Sequence, residues 1–367
     1  MPHVGANSSL VALLGRRDQP TDALQDYCRC LADALERRGI GMEFSEVLWE
    51  SQGFAASLLD LWRKSKRWRG RWVLVQYTAL SWSRRGLPVI FLLLLCLLRL
   101  RRTQIAVVFH DPGAYLGSRF VDRLRRLCQR CVMRRAYGII NTSILTVPLE
   151  QVSWIPRKPS RAAFIPVGSN VPPSVRSVGN GDAENTETKT IAVFSMTDGA
   201  FAPEIDDITF VVKSVSERIL RLRLVTLGRG SKMAEATLRH QLSGHGVEFA
   251  ALGILPPENI SKTLSDSDVL LFARGSLSTQ RGSAIAAIAC GLPIVAYSKI
   301  TQGPPLSEAG VLFVPEGDRV ELSRAVTQVL MDIQLWQELH RRSLRAYEKY
   351  FSWDAIADKF IRITSHD

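Results

Sequence analysis

Residues 253–296, GILPPENISKTLSDSDVLLFARGSLSTQRGSAIAAIACGLPIVA, decide the fold of this chain. They predict a glycine turn, a short helix, a strand at Val269 to Phe272, a loop at Arg274 to Ser283, a helix of small residues that ends at Cys290, and a second strand from Pro293 to Tyr297. The loop therefore lies between the carboxyl end of a strand and the amino end of a helix. Unpaired N–H groups and the positive end of the helix dipole meet there, so this place favours phosphate.

The same alternation of strand and helix continues on both sides of this stretch. A strand at Leu222 to Leu227 leads into the turn Gly228-Arg229-Gly230, and a helix at Ser118 to Ala136 leads into a strand at Gly138 to Asn141. Apolar strands that alternate with helices indicate parallel sheets covered on both faces. Ligands of such sheets bind beyond the carboxyl ends of the strands. The residues that follow each strand are therefore the candidates for a site.

The length of 367 residues suits two domains of ordinary size. A stretch rich in Pro, Gly and polar residues separates the two sets of alternating elements. We predict a Rossmann-like N-terminal domain at 1–170, a linker at 171–189, a second Rossmann-like domain at 190–345 and a closing helical segment at 346–367.

The positive charge is concentrated in the first domain. Residues 1–170 contain 26 Lys and Arg against 12 Asp and Glu, which gives +14, so the remainder carries −2 within the total of +12. Such a basic surface attracts anionic partners, among them a phosphate-linked acceptor, anionic lipid and nucleic acid. A hydrophobic content of 46% and a charged content of 22% exclude a disordered chain.

The chain has six cysteines, and its first residues show no secretory signal, so a reducing environment is expected. The first residues lack a charged segment followed by a long apolar core, so we expect a cytoplasmic protein. Cys128 and Cys131 form a Cys-x-x-Cys pair in an arginine-rich helical pattern, without a second pair or a nearby His. Because zinc needs more ligands, this spacing favours two buried thiols over a metal site.

Two segments of the first domain indicate contact with a membrane surface. The run Leu87 to Leu98 is apolar and bounded by arginines. A spanning helix needs ~20 apolar residues, so this shorter run is either a core helix or a segment that dips into one leaflet. Trp62, Trp68 and Trp72 alternate with Lys and Arg, a pattern typical of contact with lipid headgroups. The same surface would also suit single-stranded nucleic acid, but no nucleic-acid module is visible in the sequence.

Several motifs, taken in chain order, resemble the donor-binding half of GT-B glycosyltransferases, in particular the retaining family 4 type that includes many bacterial polysaccharide transferases. The matching segments are Gly228-Arg229-Gly230, the turn at Gly253, Ser267-Asp268-Val269, Gly282-Ser283, Cys290 to Val295, Gly310 to Asp318 and Tyr350 to Trp353. The resemblance implies the GT-B architecture, an α/β fold in which two Rossmann-like doubly wound parallel-sheet domains face each other across an interdomain cleft.

The resemblance also implies a nucleotide sugar as the donor, bound at the strand ends of the second domain. The expected donor-binding residues are Gly228, Arg229, Gly253, Ile254, Leu255, Arg274, Ser278, Arg281, Gly282 and Ser283. Arg281 and the helix start would hold the diphosphate, and Gly253 to Leu255 would lie against the nucleobase. The alternatives are a solvated loop arginine and a plain hydrophobic turn.

One departure from the resembling family concerns its carboxylates. The family carries two glutamates eight positions apart around this loop, and the corresponding residues here are Ser278 and Ala286. No Asp or Glu occurs between Asp268 and Glu308, and the usual Arg and Lys after the first strand of this half are absent from Phe194 to Gly199. These absences keep open a non-catalytic binding subunit. They count against a nucleotide-sugar epimerase of the same fold, which would need carboxylates that flank the sugar.

Candidate residues of the first domain also lie at strand ends. His110 follows an apolar strand and can donate to a pyrophosphate or a sugar hydroxyl, which would stabilise the departing nucleotide. Asp22 lies at the first strand-to-helix turn, where resembling enzymes admit acceptor and donor sugar. The alternatives are a His110 that is satisfied by its own loop and an Asp22 that is only a helix N-cap. The acceptor-side candidates are Thr21, Tyr77 and Trp82.

These features together predict a glycosyltransferase that uses a nucleotide sugar and a polysaccharide or lipid-linked acceptor, in the cytoplasm and at the inner face of the membrane. The resemblance implies retention of anomeric configuration. Positive groups would bear the phosphate charge, and no Asp-x-Asp pair lies at a strand end, so we expect neither a metal ion nor another cofactor. Nucleic acid is not an expected partner.

Overall fold

The computed structural model describes residues 9–16, 22–115, 117, 119–175, 188–196 and 201–365, and the predicted site residue Thr21 lies outside them. The chain forms two compact units, one from 1–166 with 353–367 and the other from 167–352. The boundary between the units thus follows residue 166, whereas the sequence places the end of the first domain at 170.

The first unit contains a six-stranded sheet. Its strands are β1 (Leu10–Leu14), β2 (Met42–Glu46), β3 (Trp72–Tyr77), β4 (Gln104–Phe109), β5 (Thr142–Leu145) and β6 (Ala162–Phe164). They lie in the order β2-β1-β3-β4-β5-β6, and all neighbours are parallel. The inner strands β1, β3 and β4 are almost entirely buried, as expected for strands with helices on both faces.

The helices of the first unit connect these strands. They are α1 (Ala23–Glu36), α2 (Trp49–Gln52), α3 (Phe54–Lys64), α4 (Ile90–Leu100) and α5 (Phe120–Ile139). Side chains of α3, α4 and α5 share one core with the sheet, and those of α1 share another. The sheet is therefore covered on both faces.

The second unit repeats this plan. Its strands are β7 (Lys189–Phe194), β8 (Leu222–Leu227), β9 (Val247–Gly253), β10 (Val269–Phe272), β11 (Ile294–Ser298) and β12 (Val311–Pro315). The order is β12-β11-β10-β7-β8-β9, again with parallel neighbours.

The remaining helices follow in chain order. They are α6 (Phe201–Ser216), α7 (Ser231–Gln241), α8 (Pro257–Ser265), α9 (Gly282–Ala289), α10 (Arg319–Met331), α11 (Ile333–Ala346) and, after a π-helical turn at Tyr347–Phe351, α12 (Trp353–Ser365). α9 is buried along almost its whole length, which its small side chains permit. α12 belongs to the first unit and packs against α1.

One predicted element of the first half is wrong. The strand expected at Gly138 to Asn141 does not form, because α5 continues through Ile139 and the strand begins only at Thr142. The N–H of the buried Ile140 donates to the carbonyl of Ala136 over 3.1 Å and ends the helix. Two consecutive isoleucines favour a strand locally, but the helical hydrogen bonds of α5 continue through this position.

Of the three tryptophans predicted to contact a membrane, two are core residues, whereas Trp62 is 38% exposed. Trp68 and Trp72 are buried, and their indole N–H groups donate to Glu43 and to the carbonyl of Thr364, so neither ring is available to lipid headgroups. The apolar run forms α4, which buries one face in the first unit. None of the helices in the described parts of the chain combines the length and the apolar composition that crossing a bilayer requires.

Candidate functional site

The strand order of the second unit indicates where a ligand binds. Strand order reverses between β7 and β10, because the chain first builds outward from β7 through β8 to β9 and then crosses back to β10. In open parallel sheets, ligands bind outside the carboxyl ends of the strands at such a switch point. Ser195 and Met196 follow β7 at this edge, and Arg274 lies just beyond β10.

An open pocket of about 380 Å³ occupies this position. The loops after β7, β8 and β10 and the start of α9 form its walls. Its lining residues are Ser195, Met196, Arg229, Arg274, Gln280, Arg281, Gly282 and Ser283. The structure thus brings together five of the predicted donor-binding residues, namely Arg229, Arg274, Arg281, Gly282 and Ser283.

The start of α9 contributes hydrogen-bond donors to this pocket. Arg281 is the N-cap, with φ of −85° and ψ of 91°, and no side chain caps the helix there. The first N–H groups of a helix have no partner within it, and the helix dipole places partial positive charge at this end. The Oγ of Ser283 is buried and makes no hydrogen bond to any residue that the structure describes. A phosphate oxygen would satisfy these donors.

Arginine side chains add full positive charge. Arg229, Arg274 and Arg281 all line the pocket, and no Asp or Glu is among its described lining residues. The Nε of Arg281 and the amide oxygen of Gln280 are buried without a hydrogen bond to another described residue. The guanidinium fork matches the oxygens of a phosphate and stays charged at physiological pH. The chemistry of the pocket therefore suits an anion.

Two glycines hold the turn after β8 against the loop after β7. The φ angles are 82° at Gly228 and 78° at Gly230, which glycine adopts without strain. A Cβ on Gly228 would lie 2.8 Å from the Oγ of Ser195, and one on Gly230 would lie 2.9 Å from the carbonyl oxygen of Met196. The N–H of Met196 donates to the carbonyl of Arg229 over 2.9 Å. This close approach brings Arg229 to the pocket.

The turn at Gly253 lies beside this glycine turn but outside the pocket lining. Its carbonyl accepts a hydrogen bond from the N–H of Gly228 over 2.7 Å. Ile254 is exposed and Leu255 is half-buried. An exposed apolar side chain close to a phosphate site is a surface that a nucleobase can cover, and this contact stays a prediction.

Asp22 is the N-cap of α1. One of its carboxylate oxygens accepts hydrogen bonds from the N–H groups of Leu24 and Gln25, each over 3.1 Å. The capping role that the sequence left open is therefore present in the structure. A role in sugar recognition for this carboxylate stays a prediction.

His110 lies at the carboxyl end of β4 in the first unit. Its Nε2 is 2.7 Å from Oε1 of Gln76, and its ring meets that of Tyr27 edge-on, with 4.8 Å between the ring centroids. Burial lowers the pKa of His110 to about 3, so its imidazole is neutral at physiological pH. An amide oxygen only accepts, so this contact requires the tautomer with the proton on Nε2, in which Nδ1 has a lone pair that can accept a hydrogen bond. This geometry suits a sugar hydroxyl better than a phosphate oxygen, which has no proton to donate.

The acceptor-side candidates Tyr77 and Trp82 are core residues. Both side chains are fully buried in the first unit, and the Tyr77 ring packs against Phe91 and Phe109 at centroid distances of 4.7 and 5.1 Å. The indole N–H of Trp82 donates to the carbonyl of Gln76 over 2.9 Å. Their side chains thus support the strand ends from inside and offer no surface to an acceptor.

Comparison with protein families identifies the second unit. Residues 195–332, which include the whole pocket lining, match the family of glycosyl transferases group 1. We call this matching segment, residues 195–332, the group 1 domain. The predicted glycosyltransferase is thereby confirmed, whereas the retaining type stays a prediction. A comparison with curated proteins finds no match.

Solved structures with the same fold cover nearly the whole chain. Sucrose-phosphate synthase from Thermosynechococcus elongatus superimposes with a TM-score of 0.68 at 16% identity, over 98% of both chains. Anabaena HepE in complex with UDP and glucose gives 0.66 at 13%, over 98% of this chain and 100% of HepE. WaaG, a glycosyltransferase involved in lipopolysaccharide biosynthesis, gives 0.64 at 14%, over 97% and 99%. These likenesses confirm the predicted GT-B fold of two parallel six-stranded sheets.

The group 1 domain lacks carboxylates at the two positions that the resemblance marks. Ser278 is half-buried, and its carbonyl accepts a hydrogen bond from the N–H of Arg281 over 3.1 Å. Ala286 is buried in the middle of α9 within a core cluster. Neither position supplies an acid, a base or a partner for ribose hydroxyls.

The sequence does not single out three of the residues that line the pocket of the group 1 domain, namely Ser195, Met196 and Gln280. Ser195 has a φ of 62°, a left-handed conformation that is uncommon for a residue other than glycine. The position of Ser195 is the feature of the sequence that points to it, since Ser195 directly follows the strand at the switch point. Gln280 directly precedes Arg281 in the same loop.

The Cys-x-x-Cys pair lies on α5. Cys128 is half-buried and Cys131 is exposed, and both are free thiols. The prediction of two buried thiols is therefore wrong for Cys131, which faces outward from the helix. Among the described residues there is no group of three or more His, Cys, Asp or Glu side chains arranged to hold a metal ion.

Proposed function

We propose that this chain transfers a sugar from a nucleoside diphosphate sugar to a polysaccharide or lipid-linked acceptor, with retention of anomeric configuration and without a metal ion or other cofactor. It acts in the cytoplasm, at the inner face of the membrane. The observation that carries the proposal is the pocket at the switch point of the group 1 domain, where three arginines converge on the start of α9. HepE, with the same fold, binds UDP and glucose, so UDP is the first nucleotide to test.

In the proposed reaction, the bond between the anomeric carbon and the diphosphate breaks, and the acceptor hydroxyl forms the new bond to that carbon. Negative charge then develops on the leaving diphosphate. Arg281, Arg229 and the N–H groups at the start of α9 stabilise this charge, because preorganised donors lower a barrier most where charge develops. The leaving phosphate takes the proton of the acceptor hydroxyl. The arginines supply the positive charge that a divalent ion supplies in other transferases.

In this proposal, His110 of the first unit binds the donor sugar. Gln76 and Tyr27 fix the orientation of its neutral ring, so Nδ1 presents a lone pair in a defined direction. A hydroxyl of the donor sugar would donate a hydrogen bond to Nδ1. Such a contact orients the sugar for transfer, and because the imidazole is neutral it places no charge against the sugar.

Calorimetric titration with a panel of nucleoside diphosphates and their sugars tests the proposal. We expect at least one nucleoside diphosphate to bind, and its monophosphate to bind more weakly because it reaches fewer of the cationic groups. Addition of the matching nucleotide sugar and a lipid-linked or polysaccharide acceptor should release the nucleoside diphosphate. A folded protein that binds none of the nucleoside diphosphates overturns the proposal.

A non-catalytic binding subunit is the second candidate, since both expected glutamate positions, Ser278 and Ala286, lack a carboxylate. It predicts nucleotide or glycan binding without release of nucleoside diphosphate from any sugar donor. A nucleotide-sugar epimerase would instead change the sugar in the absence of an acceptor. Analysis of the reaction products from the same panel separates the three activities.

A further inference from the structure

Helix α5 exposes a line of apolar side chains. Phe120, Leu124 and Leu127 are between 53% and 81% exposed, and the thiol of Cys131 is exposed as well. These residues stand at i, i+4, i+7 and i+11, a spacing that aligns them along one side of a helix. The buried apolar residues of α5 occupy the opposite side and are Val132, Met133 and Ala136.

A row of arginines runs beside this line. Arg119, Arg123, Arg130 and Arg134 are exposed, and their spacing of four, seven and four residues places them on one flank of the apolar line. Helix α5 contains six arginines and one acidic residue, Asp122. That aspartate is buried and paired with Arg125 over 3.1 Å. The outward side of α5 is therefore apolar and cationic.

The neighbouring helix α4 repeats the apolar line. Val89, Leu93 and Leu100 are between 55% and 74% exposed, and Cys96 is exposed between them, again at i, i+4, i+7 and i+11. The two helices pack against each other. Both pack into one core cluster with the sheet, so they lie on the same face of it, as expected for helices that connect successive adjacent parallel strands. We call their outward side the α4–α5 face.

We propose that the α4–α5 face docks on an anionic lipid bilayer. Apolar side chains flanked by arginines are the composition of helices that lie in the plane of a membrane interface. The net charge of +14 over residues 1–170 draws this unit towards an anionic surface. A second copy of the chain would bring the same positive charge to the interface, and an acidic polymer would leave the apolar lines uncovered. An anionic bilayer both neutralises the positive charge and covers the apolar lines.

This docking surface keeps part of the apolar run predicted at Leu87 to Leu98 and adds α5. It leaves out Trp68 and Trp72, which are buried. The docking proposal adds to the proposed function the surface through which the protein would reach a lipid-linked acceptor. Only the identity of that acceptor rests on the proposed function. Nucleotide binding belongs to the second unit, so failure of one proposal is distinguishable from failure of the other.

Flotation of the full chain with lipid vesicles tests the proposal. We expect the protein to float with vesicles of phosphatidylcholine mixed with phosphatidylglycerol, but not with phosphatidylcholine alone. Higher salt should release only part of it, because inserted apolar side chains are not screened. The paired change Leu124→Gln with Leu127→Gln, and separately Arg123→Gln with Arg130→Gln, should each lower binding by about tenfold or more.

Matched controls use exposed residues of the second unit. Leu220→Gln with Met331→Gln removes two exposed apolar side chains, and Arg324→Gln with Arg341→Gln removes two exposed arginines. Neither pair should change flotation. Circular dichroism and calorimetric nucleotide binding should be the same for every variant, since all the altered side chains are exposed.

Three results would overturn the docking proposal. The first is absence of the native protein from anionic vesicles at low salt. The second is an equal loss of flotation in the controls. The third is a change of oligomeric state in analytical ultracentrifugation of the α5 variants while their lipid binding is unchanged, which would make the α4–α5 face an interface between copies of the chain.

Discussion

Replacement of Arg281 by alanine should separate ligand binding from stability. The Arg281 side chain forms no hydrogen bond or ion pair with any residue in the described structure, and its Nε is buried at the pocket. A hydrogen bond to a charged group contributes about 1.5 to 3 kcal/mol, and each 1.4 kcal/mol is about tenfold in affinity. We therefore expect Arg281→Ala to weaken nucleoside diphosphate binding by about 10- to 150-fold.

The free energy of unfolding without ligand should change by less than about 0.5 kcal/mol, because no described hydrogen bond or ion pair of this side chain is lost. Isothermal titration calorimetry measures the affinity, and chemical denaturation measures the stability. The matched control is Arg341→Ala, which removes an exposed arginine that pairs with Glu338 on α11 over 3.0 Å. Unchanged affinity in a folded Arg281→Ala protein would refute the placement of the diphosphate. A large loss of stability would show that Arg281 is structural.

Further changes test the other parts of the site. His110→Ala should lower turnover at saturating substrates while donor affinity stays within a few fold, and steady-state kinetics with equal kcat would refute a catalytic role. Burial holds the folded-state pKa of His110 near 3, below its ordinary 6.5, so the unfolded chain binds a proton that the folded chain does not. Stability should therefore fall as pH drops from 6.5 towards 3, and His110→Gln should flatten that part of a thermal unfolding profile. Ala286→Glu should destabilise the protein by several kcal/mol, because it buries a carboxylate in the core, whereas Ser278→Glu at a half-buried position should cost about 1 kcal/mol or less in thermal or chemical unfolding. Gly228→Ala should cost about 1 to 2 kcal/mol for its left-handed backbone, more if Ser195 cannot move, and should weaken nucleotide binding measured by calorimetry.

The fold of the second unit could be predicted because its signals are local. The strand Leu222–Leu227 has the predicted bounds, since an apolar run ends at a glycine turn. The loop from Arg274 to Ser283 could be placed beyond a strand and before a helix for the same reason. Five pocket residues follow from this local order and from the rule that ligands bind at strand ends.

Which of the other candidate residues are buried depends on contacts between distant parts of the chain, and the sequence does not show these. Tyr77 and Trp82 lie at a strand end, where the sequence suggests a rim, but packing with Phe91 and Phe109 buries them. Trp68 stands among basic residues yet donates to Glu43 from the core. No local pattern distinguishes a tryptophan that covers the core from one that covers lipid.

The α4–α5 face is an intermediate case. The sequence places an apolar run at α4, but it does not show which of the leucines remain uncovered once α3 and α5 have packed beside it. The helical spacing on α5 was available in the sequence. Its significance follows only from the structure, in which the side with Val132 and Met133 faces the sheet and the side with Leu124 does not.

A crystal structure of the full chain with its best-binding nucleoside diphosphate tests most directly the claim that the start of α9 holds the diphosphate. We predict phosphate oxygens within about 2.7 to 3.2 Å of the backbone nitrogen of Ser283 and of the Arg281 guanidinium. The Arg229 guanidinium should contact the same diphosphate. A diphosphate bound away from α9, with this pocket filled only by solvent, would contradict the account.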